Sequence, residues 1–341
     1  MWFKGTVRVV LALALSAAVG CTSSDSDDDS ARTSPPSTTR AADPTPSSSP
    51  SPVEPVSLPA LIQREYTGSD LKLGTVVDRN DAYTSYEVTY ESNGLTISGL
   101  MNIPEGEGPF PALVLAHGYI DPEVYTTGRG FAREQDRLAR NGYVVLHTDY
   151  RNHAGSDKDP DDNGNLRLGY TEDVIGAAKA LKASGRPEID ADRIGLMGRS
   201  LGGGVVYNVL AVAPGLFDAA VAFAPVSPRP DENFDQFRLP GQESAGAEVE
   251  AEHGTPEENP EFWNGLSPLT YVDRVTEPLL IHHGTEDETC PISWTRNAVD
   301  AFEKAGKDVE LRTYRGEGHT FYGQWPRSME TTMDFFEENL R

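Results

Sequence analysis

The residues best suited to chemistry are a serine, an acid and a histidine, each set among glycines. Gly198-Arg199-Ser200-Leu201-Gly202 lies directly after the apolar run Arg193-Ile194-Gly195-Leu196-Met197 and directly before a helical stretch. A serine in Gly-x-Ser-x-Gly between strand and helix sits in a tight turn that lifts its hydroxyl above the sheet, at the start of the helix. With Gly and Ser each near ~7% of residues, the pattern arises by chance about once in eight such chains. Its weight therefore comes from its context and its partners. A hydroxyl nucleophile needs a base to take its proton and an acid to orient that base, in chain order Ser, Asp or Glu, His. His319, in Gly316-Glu317-Gly318-His319, follows the last predicted strand, and Asp287, in His283-Gly284-Thr285-Glu286-Asp287, follows the strand before it. His319 is expected as the base, and Asp287, with Glu286 and Glu288 as neighbouring competitors, as the orienting acid.

An acyl transfer also needs donors for the oxyanion. The backbone N–H of Leu201 is one, and that of Tyr119, in Leu115-Ala116-His117-Gly118-Tyr119 after the first core strand, is the expected other. His117 is expected to shape that loop, His147, His153 and His282 to be structural, and His283 to line the rim. His253 has no evident partner. A zinc site needs clustered ligands at characteristic spacing, and His282-His283 with Asp287 is a poor candidate, so no metal and no cofactor are expected.

These residues need a frame that brings strand ends together. From Gly74 to Ile103 the chain reads as strands, with Asn93-Gly94 as a hairpin turn. From Pro111 onward short apolar runs (Ala112–Ala116, Tyr143–His147, Arg193–Met197, Ala219–Phe223, Pro278–His282 and Val309–Tyr314) alternate with helical stretches at 130–141, 171–184, 201–212, 293–305 and 328–340. Continuously apolar strands between helices imply a parallel sheet covered on both faces. The expected architecture is α/β, a mostly parallel eight-stranded sheet with a polar insertion at 226–270 between strands 6 and 7. That insertion reads as lid-like, or as an ordinary long connection with short helices.

The N-terminus belongs to none of this. Lys4 and Arg8, an apolar run from Val9 to Leu15 and small residues up to Cys21 have the layout of a secretory signal peptide over 1–21. Ala18-Val19-Gly20-Cys21 resembles a bacterial lipoprotein processing site, which implies lipid on Cys21 and a place on the outer face of the cytoplasmic membrane. The alternative is an ordinary signal peptide ending near a Cys. Residues 22–57, rich in Ser, Thr, Pro and Asp, are expected to form a disordered tether, with a catalytic domain over 58–341. Cys21 and Cys290 are the only cysteines, so lipidation of Cys21 leaves no intrachain disulfide. The net charge of −24 opposes nucleic acid and anionic lipid as partners, leaving the lipid as the membrane contact. It favours cationic or neutral substrates, or serves solubility alone.

From about Pro111 to the end the chain resembles the catalytic domain of the prolyl oligopeptidase family of serine peptidases, and the related dienelactone hydrolase and acyl-esterase groups. The segments that carry the resemblance are Leu115-Ala116-His117-Gly118, Asp149-Tyr150-Arg151, Gly198-Arg199-Ser200-Leu201-Gly202-Gly203, Asn264-Gly265-Leu266-Ser267-Pro268-Leu269, His283-Gly284-Thr285-Glu286-Asp287 and Gly316-Glu317-Gly318-His319. It implies the α/β-hydrolase fold and a Ser200–Asp287–His319 triad. Larger members carry a β-propeller ahead of this domain, for which residues 58–110 are too few. No pair of glutamates suited to gripping a substrate amino terminus is identifiable.

The expected function is hydrolysis of a small peptide or acyl ester through an acyl-enzyme. The alternatives are a carboxylesterase without peptidase activity and a non-catalytic surface binding protein on a hydrolase scaffold. Tyr119, Tyr125, Phe234, Phe237, Trp263, Phe321 and Tyr322 are candidates for lining the pocket. With His319 as base, the rate is expected to fall on the acid side of neutrality as the imidazole protonates. A pH–rate profile that stays flat from about pH 4 to 9 would rule that base out.

Overall fold

Apolar strands buried on both faces must send alternate side chains to opposite layers, and β4 (Phe110–Ala116) does so. Ala112, Val114 and Ala116 enter one core cluster, Leu113 and Leu115 the other. The computed structural model describes residues 53–162, 166–237 and 243–340. The expected signal peptide, Cys21 and the tether up to residue 52 lie outside the described residues. Ser57, assigned to the tether by composition, is buried and caps α1 (Leu58–Gln63) by accepting from the Ala60 N–H at 3.2 Å.

The sheet has nine strands, one more than expected, in the order β1-β2-β3-β5-β4-β6-β7-β8-β9. β1 (Gly68–Arg79), β2 (Tyr83–Ser92) and β3 (Leu95–Pro104) form an antiparallel meander. β3 pairs antiparallel with β5 (Val144–Thr148). From β5 onward all pairings are parallel, through β4, β6 (Ile189–Arg199), β7 (Ala219–Phe223), β8 (Leu279–Gly284) and β9 (Val309–Tyr314). β1 contains the strand expected at Gly74–Val77 and extends it on both sides. It lies at the sheet edge, and its last six residues are all exposed.

Helices α3 (Gly169–Ala183), α4 (Leu201–Val212) and α8 (Ile292–Lys304) cover one face, packing Val174, Val206 and Phe302 into the larger core. Helices α2 (Ala132–Ala139) and α9 (Trp325–Asn339) cover the other with Leu138, Met329 and Phe336. The insertion falls between β7 and β8 and contains α5 (Pro230–Gln236), α6 (Glu243–His253), α7 (Pro260–Gly265) and a 3-10 stretch, Pro268–Arg274. No helix among the described residues is long and apolar enough to cross a membrane.

The chain leaves β4 for β5 on one side and then crosses to β6 on the other. At such a reversal the loops diverge and leave a crevice at the C-terminal strand ends. The β5 end is fastened by a buried charge cluster. Arg151 donates to Asp173 Oδ1 at 2.8 Å, Glu172 Oε2 at 2.9 Å and Asp159 Oδ2 at 2.9 Å, tying the loop to α3.

Asp162 lies beside this cluster with its Oδ1 buried and without a hydrogen-bond partner among the described residues. Burial lifts its carboxyl to about 6, against the pull of Arg151. An unfolded Asp titrates near about 4. Between those values the folded chain keeps a proton that the unfolded chain has lost, so stability falls as pH rises through the window. Asp162→Asn should therefore gain in unfolding free energy over the parent as pH rises from about 4 to 6 and hold that gain above it. Urea denaturation at a series of pH values measures this, and a pH-independent difference would contradict it.

Candidate active site

Ser200 occupies the turn between β6 and α4 with φ 57° and ψ −120°, a left-handed conformation that few side chains adopt without strain. The turn is held from three sides. The Ser200 N–H donates to Phe223 O at 3.0 Å, and the Ser200 carbonyl accepts from Gly204 N at 3.2 Å and Val226 N at 3.1 Å. Gly202 makes the close packing possible: a Cβ there would sit 1.9 Å from Ala116 O. The end of β4 and the start of α4 thus touch backbone to backbone. Leu201 opens α4, so its N–H has no acceptor within the helix. The Tyr119 N–H, across the crevice, donates to no acceptor among the described residues.

The loop bearing Tyr119 is braced from below. Tyr150 OH donates to His117 O at 3.1 Å, and the His117 ring stacks on Tyr125 at 4.7 Å. Asp149 accepts from Tyr125 OH at 2.7 Å, Gly128 N at 3.1 Å and Ser98 Oγ at 2.6 Å. Burial pushes His117, His147 and His282 down to about 3. All three are neutral packing elements at neutral pH. His153 spans Arg151 O and Ile120 O, and His253 stacks on Phe262 at 4.1 Å.

Asp287 and His319 lie beyond the ends of β8 and β9. His319 Nδ1 is 2.9 Å from Asp287 Oδ2. The two loops interlock, with Glu286 N donating to Glu317 O at 2.9 Å and Thr285 N to Tyr314 O at 3.0 Å. Gly284 permits this approach, since a Cβ there would meet Glu317 O at 2.2 Å. Asp287 Oδ1 accepts from the N–H groups of Thr289 and Cys290, each at 2.9 Å. Burial alone would raise its carboxyl. Hydrogen bonding to His283, His319 and the Cys290 N–H outweighs burial and holds it well below the usual carboxylate range. Asp287 is therefore ionised throughout the neutral range.

His283 was expected at the rim and is instead fully buried behind the acid. Its Nε2 is 3.3 Å from Asp287 Oδ2 and 2.8 Å from Cys290 O, and its Nδ1 is 2.7 Å from Thr295 Oγ1. His282 and His283 are successive strand residues and face opposite sides of the sheet.

Ser200, Leu201, Tyr119 and His319 line one cavity of about 460 Å³. No hydrogen bond joins Ser200 Oγ to His319 in this conformation. Of the aromatic candidates, Tyr119 and Phe237 line the cavity. Tyr125 and Phe321 are buried in packing, Phe234 lies tilted against Trp263 at 5.0 Å, and Tyr322 is exposed. The insertion supplies cavity wall through Val226 and Phe237. Arg167 and Arg199 also line it, and sequence reasoning had singled out neither side chain. Among the described residues no group of three or more His, Cys, Asp or Glu is placed to hold a metal ion.

A nine-stranded α/β sheet with a serine on a strained elbow at the strand ends defines a serine hydrolase of the α/β-hydrolase fold. Residues 129–341 match the family model of the prolyl oligopeptidase family, and the chain belongs to that family. It is 29% identical over 243 residues to the uncharacterized peptidase YuxL of Bacillus subtilis (strain 168), covering 68% of this chain and 35% of that protein. It thus spans about a third of that relative's length. The acylaminoacyl peptidase of Pyrococcus horikoshii superposes with a TM-score of 0.58 at 25% identity, over 77% of this chain and 42% of that one. Acetyl xylan esterase 1 from Thermoanaerobacterium sp. JW/SL YS485 superposes with a TM-score of 0.63 at 20% identity, over 83% of this chain and 92% of that one, a likeness of fold.

Gly202→Ala is expected to push the elbow off the β4 end. The predicted outcome is an activity loss of about 10²-fold or more with a destabilisation of about 1–3 kcal/mol. Active-site titration alongside urea denaturation checks both, and wild-type turnover in the variant would contradict the backbone-contact argument.

Proposed function

We propose that the chain hydrolyses acylated peptides or acyl esters through a Ser200–Asp287–His319 triad. The observation that carries the proposal is the 2.9 Å contact between His319 Nδ1 and ionised Asp287 at the edge of a cavity that Ser200 also lines. With Nδ1–H donated to Asp287, Nε2 is left to take the Ser200 proton. Ser200 Oγ then attacks the carbonyl carbon, and the oxyanion is held by the N–H groups of Tyr119 and Leu201. His319 passes the proton to the leaving amine or alcohol, giving an acyl-enzyme. Water, activated by the same imidazole, releases the acid and restores the serine.

Peptide hydrolysis is favoured by the family and by the peptidase relatives. The alternative, a carboxylesterase, draws on the cavity itself: no carboxylate among its described lining residues could grip a free substrate amino terminus. The same observation favours a blocked amino terminus if the substrate is a peptide. The signal peptide and Cys21 further suggest an enzyme held on the outer face of the cytoplasmic membrane.

A fluorophosphonate probe is expected to label the protein on Ser200 and to leave Ser200→Ala unlabelled. Asp287→Asn should lower kcat by about 10⁴-fold through the wrong imidazole tautomer. Equal labelling of the Ser200→Ala protein would reject this serine, and a non-catalytic role would then stand. Paired assays on p-nitrophenyl acetate and on N-acetyl aminoacyl anilides separate the two bonds. Ester cleavage without amide cleavage selects the carboxylesterase.

A further inference from the structure

Around Ser200 the charge of the molecule is inverted. The chain carries 53 acidic residues against 29 Lys and Arg. Yet the charged side chains lining the cavity, His319 aside, are two arginines, with no carboxylate among the described lining residues. The two arginines are in different states. Arg199 is ion-paired with buried Glu134, which also accepts from Trp325 Nε1 at 2.9 Å, and its guanidinium packs over Phe131 at 4.8 Å. Its charge is already answered.

Arg167 has no such partner. Among the described residues no carboxylate lies in ion-pair contact with it, and no acceptor takes a hydrogen bond from its guanidinium. Asp162 feels its charge from a distance. The guanidinium lies 4.8 Å over the ring of Tyr119, which lines the same cavity. Leu166 and Arg167 both adopt left-handed backbone, at φ 52° and 56°. Arg167 N donates to Asp162 O at 2.9 Å, and Arg167 O accepts from Tyr170 N at 3.2 Å. Two successive non-glycine residues in that region cost free energy that the surrounding structure must offset. What the arrangement secures is a half-buried arginine whose planar face rests on an aromatic ring and whose guanidinium N–H donors meet no acceptor among the described residues. Such a fork is complementary to a carboxylate.

We propose that Arg167 binds a carboxylate of the substrate, so that the site selects acyl or leaving groups carrying a negative charge near the scissile bond. The kinetic part of this inference rests on Ser200 being the nucleophile. It also reverses the expectation that so acidic a chain favours cationic or neutral substrates. The field of the outer acids is screened beyond roughly 8 Å at physiological salt, and within the cavity the nearby guanidinium dominates.

Two substrate pairs locate the charge. On the acyl side, the p-nitrophenyl monoester of glutaric acid is compared with p-nitrophenyl pentanoate. On the leaving side, an N-acetyl dipeptide with a free carboxyl terminus is compared with its amide. In at least one pair the charged member should have a kcat/KM about tenfold or more above the neutral one, the scale of a charge-assisted hydrogen bond. Arg167→Gln should remove that preference, raising KM for the charged member about tenfold more than for the neutral one; Arg167→Lys should restore part of it. Equal rates within both pairs, or a preference that survives Arg167→Gln, would overturn the proposal. Calorimetric titration of glutarate into the Ser200→Ala protein, with and without Arg167→Gln, reads the anion site without turnover. If no substrate is cleaved, the reading of Ser200 fails, while Arg167-dependent glutarate binding still upholds this inference and its absence sinks it.

Discussion

The site depends on backbone coming closer to backbone than a side chain would allow. The first turn of α4 rests on the end of β4 at Gly202, and the two loops after β8 and β9 rest on each other at Gly284. These contacts lock the four strand ends in register with one another. The elbow then needs no side-chain cap, because carbonyl and amide contacts from β7 and the following loop hold Ser200 in its strained conformation. A strained serine with little room to relax has its orientation set by the fold itself.

Charge is managed in the same way, by enclosure. Asp149, Glu134, Asp173 and Asp287 are all buried or nearly so, and each is surrounded by donors from a different element. Asp149 ties β3, the β4 loop and β5 together. Glu134 ties the elbow to α2 and α9 through Arg199 and Trp325. Removing one partner from such a set leaves a buried charge uncompensated, which is far costlier than the pair is stabilising. The negative surface and the charged interior are therefore separate matters, the first affecting solubility and encounter, the second geometry.

Much of this was legible in the sequence, for a definite reason. Strands buried on both faces must be apolar throughout, so β4 to β8 stand out from their surroundings, and the glycine-flanked Ser200, Asp287 and His319 could be placed at strand ends. The family segments were equally plain. β1 was read only over Gly74–Val77, where β-branched residues cluster, because the rest of this edge strand carries little apolar signal. His283 was misplaced because two adjacent histidines at a strand end differ only in the face they take, and register decides that. Arg167 gave no sign at all: its place in the cavity wall follows from a left-handed pair of loop residues and an aromatic neighbour distant in sequence. The aromatic candidates for the pocket were sorted by packing alone, which sent Tyr125 and Phe321 inward and left Tyr119 and Phe237 facing the cavity.

The insertion between β7 and β8 contributes Val226 and Phe237 to the cavity wall and no strand to the sheet. Apart from the Val226 N–H, the chain that positions Ser200, Asp287 and His319 lies outside the insertion that shapes part of the space around them. Changing the insertion beyond Val226, whose N–H holds the Ser200 carbonyl, redraws one side of the cavity without touching the hydrogen bond between Asp287 and His319. In a scaffold of this kind new selectivity can be acquired by loop replacement at constant chemistry, and the hydrolytic machinery can outlast many changes of diet.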